Sequence, residues 1–242
     1  MRLRPLVSVL ALSLAVATAP AFAERDIDKV FGGITAEAGE EYGSLETVNG
    51  GITIRAGATV RTAETVNGGI SIAAGANVGS AEVVNGGISL DDDATAGSIA
   101  AVNGGLTLGT GARVSGDAET VNGAAKLADG AEVGGDLETV NGAITLDHAR
   151  VRGLITTTNG DVMLVHSSVV DGGILVEKPD TNWSWGGSEP KVPRVVIGAG
   201  SVVNGPMTFE REVELFVHTS AKVGTITGAT PAAFTDSLPE RD

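Results

Sequence analysis

The sequence predicts an all-β protein built as a triangular parallel β-helix, a β-solenoid with one coil for each 18-residue repeat. Three observations predict it. First, Val-Asn-Gly or Thr-Asn-Gly tripeptides recur at Asn49, Asn67, Asn85, Asn103, Asn122, Asn141 and Asn159, and the steps between them are 18, 18, 18, 19, 19 and 18. A period that strict means one structural unit copied along an axis, not a globule around one centre. Second, between successive asparagines apolar residues fall at every sixth position: Ile54, Val60, Val66, then Ile72, Val78, Val84, then Leu90, Ala96, Val102, then Leu108, Val114, Val121. Three hexads, each a short strand and a corner, close a three-sided coil that stacks on the next at about 4.8 Å. Third, the chain has 35 glycines and only eight aromatic residues, which suits a narrow core of stacked Val, Ile, Leu and Ala. An amphipathic helix would need apolar steps of three and four, and each glycine inside it would cost about 1 kcal/mol.

The elements follow in order. Residues 1–23 read as a signal peptide: Arg2 and Arg4 form a basic start, Leu6 to Val16 is mostly apolar, and Ala21-Phe22-Ala23 offers a cleavage site. The apolar run is short for a membrane anchor, and no later stretch reaches the roughly 18 apolar residues that span a bilayer. Residues 24–228 read as one solenoid domain. Its regular coils run over about 30–177, and Phe31 stands in the asparagine position one repeat before Asn49, beginning an N-terminal cap. A loop insertion occupies 178–194 and two irregular closing coils occupy 195–228, where Val203-Asn204-Gly205 restores the repeat character. Residues 229–242, with Pro231 and Pro239, read as a mobile tail.

Within a coil, one side alternates cleanly: Ile52-Thr53-Ile54, Ile70-Ser71-Ile72, Ile88-Ser89-Leu90, Leu106-Thr107-Leu108 and Ile144-Thr145-Leu146. Its apolar residues should point inward and its Thr and Ser outward. Each repeat asparagine ends a side. Asn tolerates left-handed backbone angles, the glycine after it accepts a positive φ, and asparagines stacked at the inter-strand spacing should bond amide to amide in a ladder. That role is architectural.

Composition narrows the function. There is no cysteine, which excludes a disulfide scaffold and thiolate metal sites. Without Arg2 and Arg4 the chain carries 14 basic and 30 acidic residues, a formal charge of −16. Such a surface does not suit nucleic acid, which requires clustered Lys and Arg. Divalent cations, basic proteins and neutral glycans fit better.

Three groups of residues are candidates for chemistry. Glu46, Glu64, Glu82, Glu119 and Glu138 recur three residues before the ladder, broken by Ala100. Facing outward they form carboxylate columns, either a solvated face or weak calcium ligands, with Glu64 and Glu82 the adjacent pair to test. His148, His166 and His218 are expected to share one column, with Asp129 one coil before His148. Stacked imidazoles could bind a transition metal. Trp183 and Trp185 lie in the long insertion, and alternate placement would put both indoles on one side to stack on a sugar or anchor a protein, or to cover the coil edge.

The Glu-Thr-Val-Asn-Gly-Gly-Ile units resemble the adhesin-type β-helix repeats of bacterial envelope proteins. Gly111-Ala112-Arg113-Val114-Ser115-Gly116-Asp117 and Gly130-Ala131-Glu132-Val133-Gly134-Gly135-Asp136 look like bactofilins, which are polymer-forming β-helix scaffolds. The likeness covers roughly residues 45–175. Bactofilins are typically cytoplasmic, and the export signal departs from that pattern. Hexad spacing suits left-handed coils, whereas the bactofilin likeness implies right-handed ones. Together these features lead to the expectation of a non-catalytic exported scaffold of the bacterial envelope, periplasmic or secreted, about ten coils long and able to self-associate. The alternative is an adhesin or glycan-binding rod using the tryptophan insertion. An enzyme on polysaccharide is disfavoured: β-helix lyases generally need basic residues near acidic calcium ligands, and the mature chain has five scattered lysines. The histidine-bearing hexapeptide acyltransferases use intracellular donors.

Overall fold

The computed structural model describes residues 25–179 and 192–235, and these form a parallel β-solenoid without helices. One wall is a sheet of 11 short strands, from Ile34–Ala36 to Ala232–Phe234, each paired in parallel with its counterpart one coil away. The other two walls share a second sheet. In the first half of the stack a single nine-residue strand, such as Glu41–Asn49 or Thr59–Asn67, bends round the corner to serve both walls. From Arg113–Val114 and Ala118–Thr120 onward it divides in two. The division marks one extra residue, since Ala96 and Ile99 pair with Val114 and Ala118. That residue is the origin of the 19-residue steps. The step from Asn141 to Asn159 returns to 18 because the opposite corner, between Leu146 and Ala149, is one residue shorter than its neighbour between Leu127 and Ala131.

Side chains stack in columns because the strands are parallel and in register. Ile52, Ile70, Ile88 and Leu106 form one inward column of the first wall, and Ile54, Ile72, Leu90 and Leu108 form another, all buried. Ala58, Ala76, Ala94 and Ala112 fill the following corner. Large aromatic side chains enter this core near its two ends: Tyr42 is 4% exposed and Phe209 5%. The Tyr42 hydroxyl accepts a hydrogen bond from the Glu37 amide at 3.1 Å, and the Arg25 guanidinium lies 5.7 Å from its ring centre.

The six-residue apolar series counts Val66, Val84, Val102 and Val121 among its positions, yet these valines are only half-buried. The preceding residues Thr65, Val83, Ala101 and Thr120 fill the core instead. Thr is accepted there because its hydroxyl has a partner: Thr65 Oγ1 donates to Gly50 O at 2.8 Å, and Thr120 Oγ1 to Gly104 O at 2.8 Å. A buried hydroxyl so satisfied avoids a desolvation penalty of about 1–3 kcal/mol.

Two further expectations are corrected. The segment after Gly228 is not wholly a tail, since Ala232–Phe234 adds the last strand of the first wall. The ladder asparagines do not adopt left-handed angles; Asn49, Asn67, Asn85 and Asn103 are final residues of extended strands. The glycine behind each asparagine is demanded mainly by proximity. A Cβ on Gly68 would lie 2.2 Å from Gly50 O, and one on Gly104 would lie 1.9 Å from Gly86 O. The second glycine is less confined, with 3.1 Å from a Gly69 Cβ to Gly87 O, and the sequence itself places Ala124 and Ala143 there. Gly68→Ala is therefore expected to lower stability by about 3 kcal/mol, and Gly69→Ala by about 1 kcal/mol or less. Urea unfolding of the two variants side by side measures the contrast.

Candidate functional site

The corner after the third wall carries a continuous amide ladder. Asn67 Nδ2 donates to Asn49 Oδ1 at 3.1 Å, and Asn85, Asn103, Asn122, Asn141 and Asn159 each donate to the asparagine before at 2.8–3.0 Å. Every donor points toward the N-terminal end, so the amide dipoles align. The first rung, Asn49, donates to Val30 O, because Phe31 occupies the next ladder position and has no amide. The last rung meets Arg211, whose Nη1 donates to Asn159 Oδ1 at 2.7 Å and to Thr158 O at 2.9 Å. Arg211 reaches back from beyond the insertion, 52 residues along the chain, and places a cation on the free acceptor of the ladder. The six-residue pattern contains no signal for this contact.

Beside the ladder the outward carboxylates stack in register. Asp28, Glu46, Glu64 and Glu82 pair successively, Ala100 interrupts, and Glu119 and Glu138 resume. Asp28 extends the column by one coil, and its sequence signal is its place one full repeat before Glu46. Partial burial, reinforced by Glu82 and Glu46 on either side, pushes the Glu64 carboxyl above the usual range. Burial and then Glu119 do the same to Glu138, and burial and then Glu46 to Asp28. The Asp91-Asp92-Asp93 cluster is a turn: Asp92 Oδ1 accepts the Thr110 amide at 2.9 Å, and Asp93 is left-handed with φ 57°.

The histidines do not share a single column. Ile197 pairs with Val217, not with Phe216, so His218 is one residue out of line with His148 and His166. The longer connection through residues 210–213 shifts the register. His218 ends the strand Glu214–His218, next to the last strand of the first wall, with Nε2 2.7 Å from Thr235 O, Nδ1 2.8 Å from Ser220 Oγ, and its ring edge-on to Phe234 at 5.1 Å. His148 and His166 sit on the corner after the first wall in adjacent coils. His148 Nδ1 lies 2.6 Å from Asp129 Oδ1, and His166 Nδ1 lies 2.6 Å from Asp147 Oδ1. Asp147 falls outside the sequence candidates, although it directly precedes His148. Among the described residues no three His, Cys, Asp or Glu side chains gather as a metal-binding group.

Trp183 and Trp185 lie outside the described residues. The root of their insertion is well held: the Arg194 amide donates to Asp161 Oδ1 at 2.8 Å, its guanidinium lies 4.5 Å from the Phe216 ring centre, and the Lys178 amide donates to Glu210 Oε2 at 3.3 Å. Among the described residues no helix is long and apolar enough to cross a membrane. Comparison with protein-family models, curated proteins and solved structures finds no match for this chain.

Two measurements test these columns. Asn103→Ala, which removes two ladder bonds, is expected to cost about 1–3 kcal/mol in denaturant unfolding. For Glu64, a carboxyl raised in the folded state favours folding below its unfolded value and loses that contribution as pH rises through the folded value. Glu64→Gln should thus be more stable than the wild type at pH 7, with the difference vanishing below about pH 4.5, the ordinary glutamate value. Thermal melts across that range read the effect.

Proposed function

We propose that the protein is a non-catalytic structural rod of the bacterial envelope, exported and able to assemble end to end, in the manner of bactofilin-like and adhesin-type repeat scaffolds. The observation that carries this reading is the pair of one-sided strand edges that bound the described stack. Among the described residues, Arg25–Phe31 and Ile34–Ala36 each pair on one side only, as do Lys222–Val223, Ile226–Thr227 and Ala232–Phe234 at the other end. Ile27 and Ile226 begin and end the same inward column and both are only half-buried. Val30 and Phe31 are 59% and 77% exposed on the first strand. A free strand edge with exposed apolar side chains is a template for further pairing. Eleven coils at about 4.8 Å make one rod ~50 Å long, and a second copy continues the same walls. The acidic flanks keep the rods apart sideways by like-charge repulsion, so that growth runs along the axis.

Negative-stain microscopy and light scattering on residues 24–242, with and without calcium, test this reading. Filaments several times longer than one rod are expected, and Phe31→Glu should return them to monomers. A wild-type monomer in both conditions would remove self-assembly from the reading.

A further inference from the structure

We propose that His148 and His166 form a two-histidine chelate for a late first-row divalent metal ion, copper(II) before zinc or nickel. Three independent features of the corner converge on it.

The first is backbone conformation. His148 has φ 50° at the corner position that Gly57, Gly75, Gly111, Gly130 and Gly200 hold in other coils, all left-handed. His166 has φ 49° and is followed by a second left-handed residue, Ser167. A left-handed non-glycine residue is held at a cost of about 1 kcal/mol or more, which glycine avoids. Two consecutive coils therefore hold imidazoles on left-handed backbone, His148 at the glycine position itself and His166 one residue ahead of it, where Ser167 stands opposite Gly200.

The second is how the rings are held. A carboxylate only accepts hydrogen bonds, so the contacts with Asp129 and Asp147 put the ring proton on Nδ1 of each histidine. The lone pair is then on Nε2, and neither Nε2 has a partner among the described residues. A carboxylate fixing the tautomer and raising the basicity of the remote nitrogen is the outer-shell arrangement found behind metal-bound histidine. His218 lacks it, since both of its nitrogens are already engaged.

The third is spacing. The histidines stand on successive coils, and the side chains are 63% and 75% exposed, with room to tilt. A rung of about 4.8 Å exceeds the ~3 Å between two nitrogens that share one ion at bonds of ~2.0–2.1 Å, and tilting of the two exposed rings toward each other closes that difference. Water completes the coordination. Imidazole ligands rank copper(II) above nickel(II) and zinc(II). The hard carboxylate columns on the neighbouring wall would favour calcium instead.

Titration calorimetry of the full chain near neutral pH with copper(II) chloride, and then with zinc and nickel chlorides, tests the site. One copper ion per chain is expected, and it should raise the unfolding temperature. His148→Gly and His166→Gly should each weaken binding by about 100-fold or more, because a chelate becomes a single imidazole. Both variants should fold, since glycine suits the left-handed backbone at these two positions, and thermal melts without metal check that directly. Asp129→Asn and Asp147→Asn should each weaken binding by about 10–100-fold, while His218→Gln leaves it unchanged. The proposal is overturned if the wild type binds no copper, if the double glycine variant binds as tightly, or if two ions bind and each is lost with one histidine alone.

Discussion

Parallel hydrogen bonding between successive coils, in register along the strands from Ile27 onward, is the constraint on which everything else in this protein depends. Each residue of an inner strand finds its own counterpart about 4.8 Å above and below it. Whatever chemistry a position has, it meets in copies. Isoleucine on isoleucine extends a dry core, as in the column of Ile52, Ile70 and Ile88. Glycine on glycine lets backbones approach until a Cβ on Gly104 would fall 1.9 Å from a carbonyl oxygen.

The same rule separates the amide column from the carboxylate column. An asparagine side chain both donates and accepts, so stacking copies satisfies each one and aligns their dipoles. A glutamate in the same geometry has only acceptors, and its neighbours raise the cost of its charge. Glu64 bears this most directly, half-buried between Glu46 and Glu82. The column is interrupted at Ala100, which limits the longest uninterrupted run of carboxylates to Asp28 through Glu82. Threonine shows a third outcome. Its hydroxyl turns back to a carbonyl of the preceding coil, and a polar residue thereby occupies a core position at Thr65 and Thr120.

Repetition must end somewhere, and the departures from it are where individual residues acquire particular roles. Tyr42 and Phe209 bring bulk near the two ends of the core. Arg211 terminates the amide ladder where the insertion removes the next asparagine. The shortened corner at Leu146–Ala149 restores the shorter repeat step, and it is there that His148 replaces glycine in the left-handed position.

By itself, the sequence determined the solenoid, the coil length, the outward Thr and Ser of the first wall and the stacking of the asparagines, because all of these repeat with the period of the backbone. Asp28 and Asp147 are equally readable, the one by stepping a full repeat back from Glu46 and the other by looking at the residue before His148. Other features were decided only in three dimensions. The burial of Thr65 in place of Val66 depends on which side of a bent strand faces inward, and an apolar count cannot see a hydroxyl finding a carbonyl in the coil before. The displacement of His218 from its expected column follows from the number of residues that one irregular turn consumes. Arg211 meets Asn159 because folding brings residues 52 positions apart across a gap of one coil. Periodic positions carry their neighbours in the sequence, whereas irregular ones acquire theirs only when the chain has wound into place.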